Sequence, residues 1–69
     1  MPPVTIILNG EPRQARPDST VAELLTAMEI TAKHVAVEVN LVIVPRSRHA
    51  EHRLQAGDRV EVVTLVGGG

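Results

Sequence analysis

One amphipathic stretch near the middle of the sequence limits the fold more than any other feature. Apolar side chains recur there at i, i+3, i+4 and i+7, the spacing of one face of a helix. They are Val21, Leu24, Leu25 and Met28. Thr20 and Glu23 match a capping box at its start, Ser19 is a competing cap, and the stripe ends near Ile30. Because one apolar stripe must be covered, the rest of the chain has to supply an apolar sheet face.

Four other segments have the alternation or the β-branched richness of strands. They are Val4–Leu8, Val35–Val39, Val42–Val44 and Arg59–Val66. Asn9-Gly10 offers the positive φ angles of a two-residue hairpin turn, so Glu11–Arg16 is expected to return as a further strand. Pro12 within it cannot donate a ladder hydrogen bond, which favours the edge of the sheet.

The connections between the later strands are short. Asn40-Leu41 predicts a tight turn, and Pro45 ends the strand that follows. The polar stretch 46–55 is expected to contain a short helical turn opened by Ser47, followed by a loop. Gly57-Asp58 is typical of a turn before the last strand.

These elements predict an α+β fold, a mixed sheet of four to five strands packed on one helix with a short second helical turn. We expect the last strand to pair in parallel with the first at the sheet centre, since these segments are the most hydrophobic. That arrangement is the β-grasp, or ubiquitin-like, fold. The length of 69 residues allows one domain, with bounds of 1–66, and a flexible glycine tail at 67–69. Ile6 and Leu24 are expected in its aliphatic core.

Composition argues against several classes of function. A net charge of −1 and the absence of Phe, Tyr and Trp supply neither the basic excess nor the stacking platform of a nucleic-acid binder. The apolar runs are too short to cross a membrane. No charged and apolar leader opens the sequence, so we expect a cytoplasmic protein. With no cysteine, any sulfur handled here is not carried by a side-chain thiol.

The side chains offer little catalytic chemistry. His49 and His52 stand at i, i+3, but two ligands are one short of a catalytic zinc site, and solvated surface histidines are the favoured interpretation. His34 is interpreted as a loop residue and Met28 as core. The carboxylates show no pairing for acid/base work. We therefore expect no catalytic residue and no metal site.

Two stretches could bind a partner. The first is the basic stretch with Arg46, Arg48 and Arg53, for which a solvated face is favoured over a docking patch. The second consists of Val63 and Leu65, which fall on the opposite face of the last strand from its other apolar residues. Either a partner binds there or the domain covers this face itself, and the sequence leaves both open.

The three glycines Gly67, Gly68 and Gly69 are the most distinctive local feature. Three glycines after a strand predict a mobile tail, which reaches about 10 Å when extended. Without Cβ atoms such a tail can enter a narrow channel and deliver its terminal carboxylate to another protein. From the tail alone, delivery and a frayed end or linker remnant are equally supported.

Four ordered segments resemble one known family. They are Val35–Asn40, Ile43–Arg46, Leu54–Val63 and Val66–Gly69. Together they resemble the ThiS family of sulfur carriers in thiamine biosynthesis. Leu41 is a departure, because such proteins often carry Gly after the Asn.

The resemblance implies a co-substrate and not an enzyme. It implies that a ThiF-type adenylating enzyme uses Mg-ATP to convert the carboxylate of Gly69 to an acyl-adenylate. Sulfur from a cysteine desulfurase route then gives a thiocarboxylate, which the thiazole synthase ThiG consumes. Gly67 and Gly68 would be the tail delivered to the partner, and Val63, Leu65 and Arg46 a partner-binding face. ATP and Mg would belong to the partner, and no cofactor is expected on this chain.

Two alternatives stay open. A MoaD-like small subunit of molybdopterin synthase uses the same tail chemistry on the same fold. It ranks second because such proteins tend to carry a Pro-rich segment before the glycines, which Thr64-Leu65-Val66 lacks. The other is a non-catalytic ubiquitin-like modifier or interaction module that acts through the face of Val63 and Leu65.

Overall fold

A computed structural model describes residues 2–30 and 34–64. Its strands and helix are β1 (Val4–Leu8), β2 (Glu11–Ala15), α1 (Val21–Ala27), β3 (Val35–Val39), β4 (Val42–Val44) and β5 (Arg59–Thr64), with a short 3₁₀ turn at Arg46–Arg48 between β4 and β5. The predicted element order is confirmed. The predicted end of the last strand, residues 65 and 66, lies outside the described residues.

The five strands form one mixed sheet in the order β2-β1-β5-β3-β4. β1 pairs in parallel with β5, and the other neighbouring pairs are antiparallel. The first and last strands are therefore parallel neighbours, as predicted, and Pro12 lies on an edge strand. With α1 across one face of this sheet, the predicted β-grasp fold is confirmed.

The start of α1 follows the predicted capping box. The backbone N–H of Glu23 donates to Oγ1 of Thr20 at 3.2 Å, and the N–H of Thr20 donates to Oε1 of Glu23 at 2.8 Å. Two backbone donors at the helix start are thus satisfied reciprocally. Thr20 and not the competing Ser19 is the cap, and the Ser19 hydroxyl is buried without a hydrogen-bond partner among the described residues.

An aliphatic core fills the space between the sheet and α1. Its buried members are Ile6, Leu8, Val21, Leu24, Leu25, Val37, Val39, Val44, Leu54, Val60 and Val62. Ile6 and Leu24 were expected there. Leu54 comes from the stretch interpreted as a polar loop, yet it is only 1% exposed. Its backbone N–H donates to the carbonyl of Ser19 at 2.7 Å, which ties this loop to the chain just before α1.

The interpretation of His49 as a solvated surface residue is wrong. Its side chain is 7% exposed, and Nε2 lies 3.1 Å from the carbonyl oxygen of Val44. The carbonyl of His49 also accepts a hydrogen bond from the N–H of Ala22 at 2.9 Å, so the segment folds under the start of α1. His52 is half-buried. The neighbouring 3₁₀ turn begins at Arg46 with no side-chain cap, one residue before the predicted Ser47.

Candidate functional site

β5 is the strand that leads toward the predicted reactive tail. Gly67, Gly68 and Gly69, with Leu65, lie outside the described residues, so the predictions made for them remain predictions. The structure describes the strand as far as Thr64. The described part of the site is therefore β5 itself, the residues that hold it and the surface around its end.

β5 has unequal backbone pairing on its two sides. On one side it pairs with β3 over five register positions, from Val39 opposite Val60 to Val35 opposite Thr64. On the other side β1 pairs with it at two positions and then ends at Leu8. Beyond Val60, that edge of β5 needs other hydrogen-bond partners for its buried backbone groups.

The side chain of Asn9 takes over where β1 ends. The N–H of Val62 donates to Asn9 Oδ1 at 2.8 Å, and Asn9 Nδ2 donates to the carbonyl oxygen of Val62 at 3.3 Å. The backbone N–H of Asn9 donates to Val60 at 2.9 Å. A side-chain amide carries both a donor and an acceptor, so it reproduces one step of strand pairing. Asn9 thereby holds β5 two residues before its described end.

Asn40 holds the beginning of the same strand. The N–H of Arg59 donates to Asn40 Oδ1 at 3.0 Å, and the N–H of Asn40 donates to the Arg59 carbonyl at 2.7 Å. Asn40 Nδ2 donates to Oδ1 of Asp58 at 3.1 Å. The sequence identified Asn9 and Asn40 as turn residues but did not reveal that both bind β5. The available signal was the use of Asn at both turns, since the side-chain amide of Asn can donate and accept at the same time.

The sheet face opposite α1 carries a mixed surface near the end of β5. We call it the outer face, and it consists of Ala36, Glu38, Ile43, Glu61 and Val63, which alternate with the buried residues of β3, β4 and β5. Val63 is 52% exposed and Ile43 67% exposed. Of the two readings left open for Val63, exposure is therefore correct. Leu65 lies outside the described residues.

The centre of the outer face is acidic. Glu38 of β3 lies opposite Glu61 of β5 in the antiparallel register, and Ile43 of β4 lies opposite Glu38 on the other side. Like charges directly opposite one another destabilise a sheet. Neither carboxylate forms an ion pair within residues 2–30 and 34–64. The outer face thus offers two carboxylates that lie between the apolar side chains of Ile43 and Val63 and the exposed Arg59 on the same face of β5.

The basic stretch after β4 divides into separate environments. Arg48 forms an exposed ion pair with Glu51 at 3.4 Å, and Nη1 of Arg53 donates to the carbonyl of Asp18 at 3.2 Å. Arg46 is exposed and follows the end of β4, which puts it at the same end of the sheet as Val63 with β3 between them. The structure therefore brings Arg46 and Val63 to one end of the sheet.

Within residues 2–30 and 34–64, no group of three His, Asp or Glu residues is arranged to hold a metal ion. None of the described helices has the length and apolarity needed to cross a membrane.

Comparison with known proteins identifies the family. The ThiS family model matches residues 6–69. The chain belongs to the ThiS family. It is 33% identical to the sulfur carrier protein ThiS of Escherichia coli K12 over 64 residues, which cover 93% of this chain and 97% of that protein. The crystal structure of the thiamine biosynthesis protein ThiS from Geobacter metallireducens superposes with a TM-score of 0.82 at 30% identity, covering 96% of this chain and 100% of that one.

Other relatives are much longer proteins. The chain is 41% identical over 64 residues to a thiazole synthase of Paramagnetospirillum magneticum, with 93% of this chain and 20% of that protein covered. A thiazole synthase of Magnetococcus marinus matches with the same identity and coverage. The ThiS-like chain thus spans about a fifth of the length of these relatives.

Proposed function

We propose that this chain is a sulfur carrier of thiamine biosynthesis, loaded at the carboxylate of Gly69. A carboxylate oxygen attacks the α-phosphorus of Mg-ATP on a ThiF-type adenylating enzyme, and pyrophosphate leaves. The terminal sulfur of a persulfide, supplied by a cysteine desulfurase route, then attacks the acyl carbon, and AMP leaves. A thiol of the partner enzymes cleaves the S–S bond of the resulting acyl disulfide, so that a disulfide forms on the partner and the thiocarboxylate remains on Gly69. The observation that carries the proposal is the ThiS family match, which extends through Gly67, Gly68 and Gly69.

We further propose the thiazole synthase ThiG as the acceptor of the sulfur. Two relatives named thiazole synthase contain a region similar to nearly the whole of this chain. A carrier region that is part of the same polypeptide as a synthase can deliver its sulfur directly to that synthase. This favours thiazole formation over the MoaD-like alternative, in which the sulfur acceptor is a molybdopterin precursor.

In this proposal the folded domain binds the partner enzymes, and those enzymes supply the catalysis. Adenylation provides a good leaving group, so the carrier needs no base, thiol or metal of its own. ATP and Mg belong to the adenylating enzyme, and the reactions take place in the cytoplasm. The partner-binding face includes Val63, Leu65 and Arg46, with the acidic and apolar outer face as its described part.

Intact-mass measurement tests the loading step. After incubation with a ThiF-type enzyme, Mg-ATP and a sulfur source, the chain should gain the mass of one oxygen-to-sulfur exchange. Removal of Gly69 should abolish ATP–pyrophosphate exchange and leave the circular dichroism spectrum unchanged. An unchanged mass, with the enzyme shown to be active on another carrier, would refute the proposal.

A pair of valine variants tests the docking face. Val63→Asp adds a charge to the outer face near the described end of β5, and we expect it to lower kcat/KM for adenylation roughly tenfold by weakening apolar contact with the partner. Val42→Asp is the matched control, because Val42 is also on a strand and is 66% exposed, but it lies outside the outer face. Equal effects of the two variants would contradict the assignment of the face.

The acceptor is tested by capture of partners on the immobilised chain. Retention of a thiazole synthase supports the proposed pathway, whereas retention of a molybdopterin synthase large subunit in its place would overturn it. An amide bond from Gly69 to a lysine of another protein, found by peptide mass spectrometry, would instead identify a ubiquitin-like modifier.

A further inference from the structure

A groove runs between the edge strand β2 and the helix α1, on the side of the sheet away from the outer face. Its volume is about 470 Å³. Its lining residues come from β2, the turn after it and the exposed flank of α1. None of these residues takes part in the proposed loading of the tail, so the groove calls for a separate explanation.

The backbone of β2 is open for pairing along this groove. In the β1–β2 register, residues next to the two-residue turn form a hydrogen-bonded pair, Leu8 opposite Glu11, and bonded and non-bonded pairs then alternate. The peptide groups of Gln14 therefore point away from β1, toward open solvent at the sheet edge. Pro12 occupies the preceding outward position, where its missing N–H costs no bond to β1. An extended segment could pair with this edge at Gln14.

The floor of the groove is built from small apolar side chains. Ala15 on β2 faces Ala22 and Ala27 on α1, and these alanines leave the space that larger residues would fill. Arg13 lies opposite the core residue Ile6, and Ala15 lies opposite Val4, two residues further along the same face. The side chains of Arg13 and Ala15 therefore lie on the α1 side of β2. Apolar side chains of an added strand would alternate into this space.

The rim of the groove is basic. Arg13 and Arg16 form no side-chain hydrogen bond or ion pair within the described ranges. Glu23 also lines the groove, but its Oε1 accepts the hydrogen bond of the capping box. The two arginines outnumber this one carboxylate, and they favour an occupant that carries carboxylates.

We infer that the groove between β2 and α1 binds an extended segment of a partner protein in which aliphatic residues are flanked by acidic ones. The segment adds as a further strand to β2, with backbone hydrogen bonds at Gln14 and aliphatic side chains over Ala22 and Ala27. Its carboxylates lie at Arg13 and Arg16. Backbone pairing supplies affinity in this mode of recognition, and the pockets and charges supply specificity.

A second copy of this chain does not suit the groove. Two β2 strands paired about a twofold axis at Gln14 would bring Arg13 and Arg16 of both copies to one seam, which would then carry four cations. Like-charge juxtaposition opposes such an interface. The charge pattern thus favours a heterologous acidic segment.

The test titrates the full chain with a labelled synthetic peptide in which a Val/Ile run is flanked by Asp residues. Fluorescence anisotropy should show saturable binding that weakens as salt is added, because exposed charges are screened. In ¹⁵N-HSQC spectra the largest shifts should fall on Gln14, Ala22 and Ala27, while Glu61 and Val63 on the outer face stay unchanged. A peptide with Lys in place of Asp should bind at least tenfold more weakly.

Three variants test separately how the β2 backbone, the alanine floor and the basic rim contribute to peptide binding. Gln14→Pro removes the outward N–H, and Ala27→Leu fills the floor from an exposed helix position. Each should weaken peptide binding roughly tenfold or more. Arg13→Glu should have a similar effect, whereas Arg59→Glu makes the same charge change on β5 and should leave the affinity unchanged.

Sulfur loading distinguishes this inference from the proposed function. The three groove variants Gln14→Pro, Ala27→Leu and Arg13→Glu should still accept sulfur from the adenylating enzyme, which also shows that they fold. Absence of saturable binding to the acidic peptide, equal binding of the Lys peptide, or shifts confined to the outer face would each overturn the inference without affecting the carrier assignment.

Discussion

The two hairpin turns of this protein share a geometry but differ in chemistry. Asn9 and Gly10 join β1 to β2 with φ values of +49° and +84°, and Asn40 and Leu41 join β3 to β4 with +52° and +69°. Positive φ at both central residues matches the right-handed twist of a hairpin. Glycine adopts it freely, whereas leucine meets a steric penalty of about 1 kcal/mol. The second turn is therefore strained where the first is not.

The difference shows that the asparagine, and not its neighbour, is what the two turns have in common. Each Asn side chain binds β5, one near its end and the other at its beginning. The residue after the Asn does not hold β5 in this way, and Leu41 is 89% exposed. A strained turn can persist because its Asn is tied to the central strand. We expect substitutions at the Asn positions to matter more than those at the next residue.

The largest effect is expected for Asn9→Gly. Glycine keeps the positive φ but removes both side-chain bonds to Val62, leaving part-buried backbone groups without partners. The free energy of unfolding should fall by about 2 kcal/mol, measured by urea denaturation. The amide of Val62 should also exchange faster with solvent deuterium. Unchanged exchange at Val62 would contradict the assigned role of Asn9.

Asn40→Gly should have a smaller effect of the same kind. It removes the bonds to Arg59 and Asp58, which are exposed and can be replaced by water. A loss of about 1 kcal/mol is expected in the same denaturation experiment. If Asn40→Gly is less stable than Asn9→Gly, the burial of the bonded groups does not explain which asparagine contributes more to stability.

The smallest effect, and one of opposite sign, is expected for Leu41→Gly. Relief of the positive-φ strain exceeds the added entropy of the unfolded chain, so stability should rise by about 0.5 kcal/mol. A small increase in Tm by calorimetry checks it. Gly10→Leu should destabilise by a similar amount, since a Cβ at Gly10 meets no atom within 4 Å and only the backbone cost remains. Combining both changes should leave Tm near that of the original protein.

Local patterns predicted most of the fold. The capping box of Thr20 followed from residue spacing, the edge position of Pro12 from its missing N–H, and the parallel pairing of the first and last strands from their hydrophobicity. Leu54 and His49 were missed because stretch 46–55 has no period to reveal which side faces the core. Their burial depends on contacts with the chain before α1, which no local pattern encodes.

The sequence predicted the reactive tail of the candidate site but not the contacts that hold β5 in place. The glycines and the family resemblance indicated the carrier role, which family membership supports. The bonds from Asn9 join residues 53 positions apart, and the acidic pair Glu38 and Glu61 meets only through the β3–β5 register. Neither relation is visible until the strand order is known. Whether Arg46 contacts a partner remains a prediction.

The parallel pairing of β1 with β5 has a mechanical consequence. A pull applied between Val4 and Thr64 acts along both strands, so it loads their cross-links together and does not open them one at a time. These cross-links include two backbone bonds, from Ile7 to Asp58 and from Asn9 to Val60, and the paired amide bonds between Asn9 and Val62. Resistance to such a pull depends on the rate of unfolding under load. If a partner drew the tail into a narrow channel, the force on the domain would thus load these bonds together, and the two strands would not separate bond by bond.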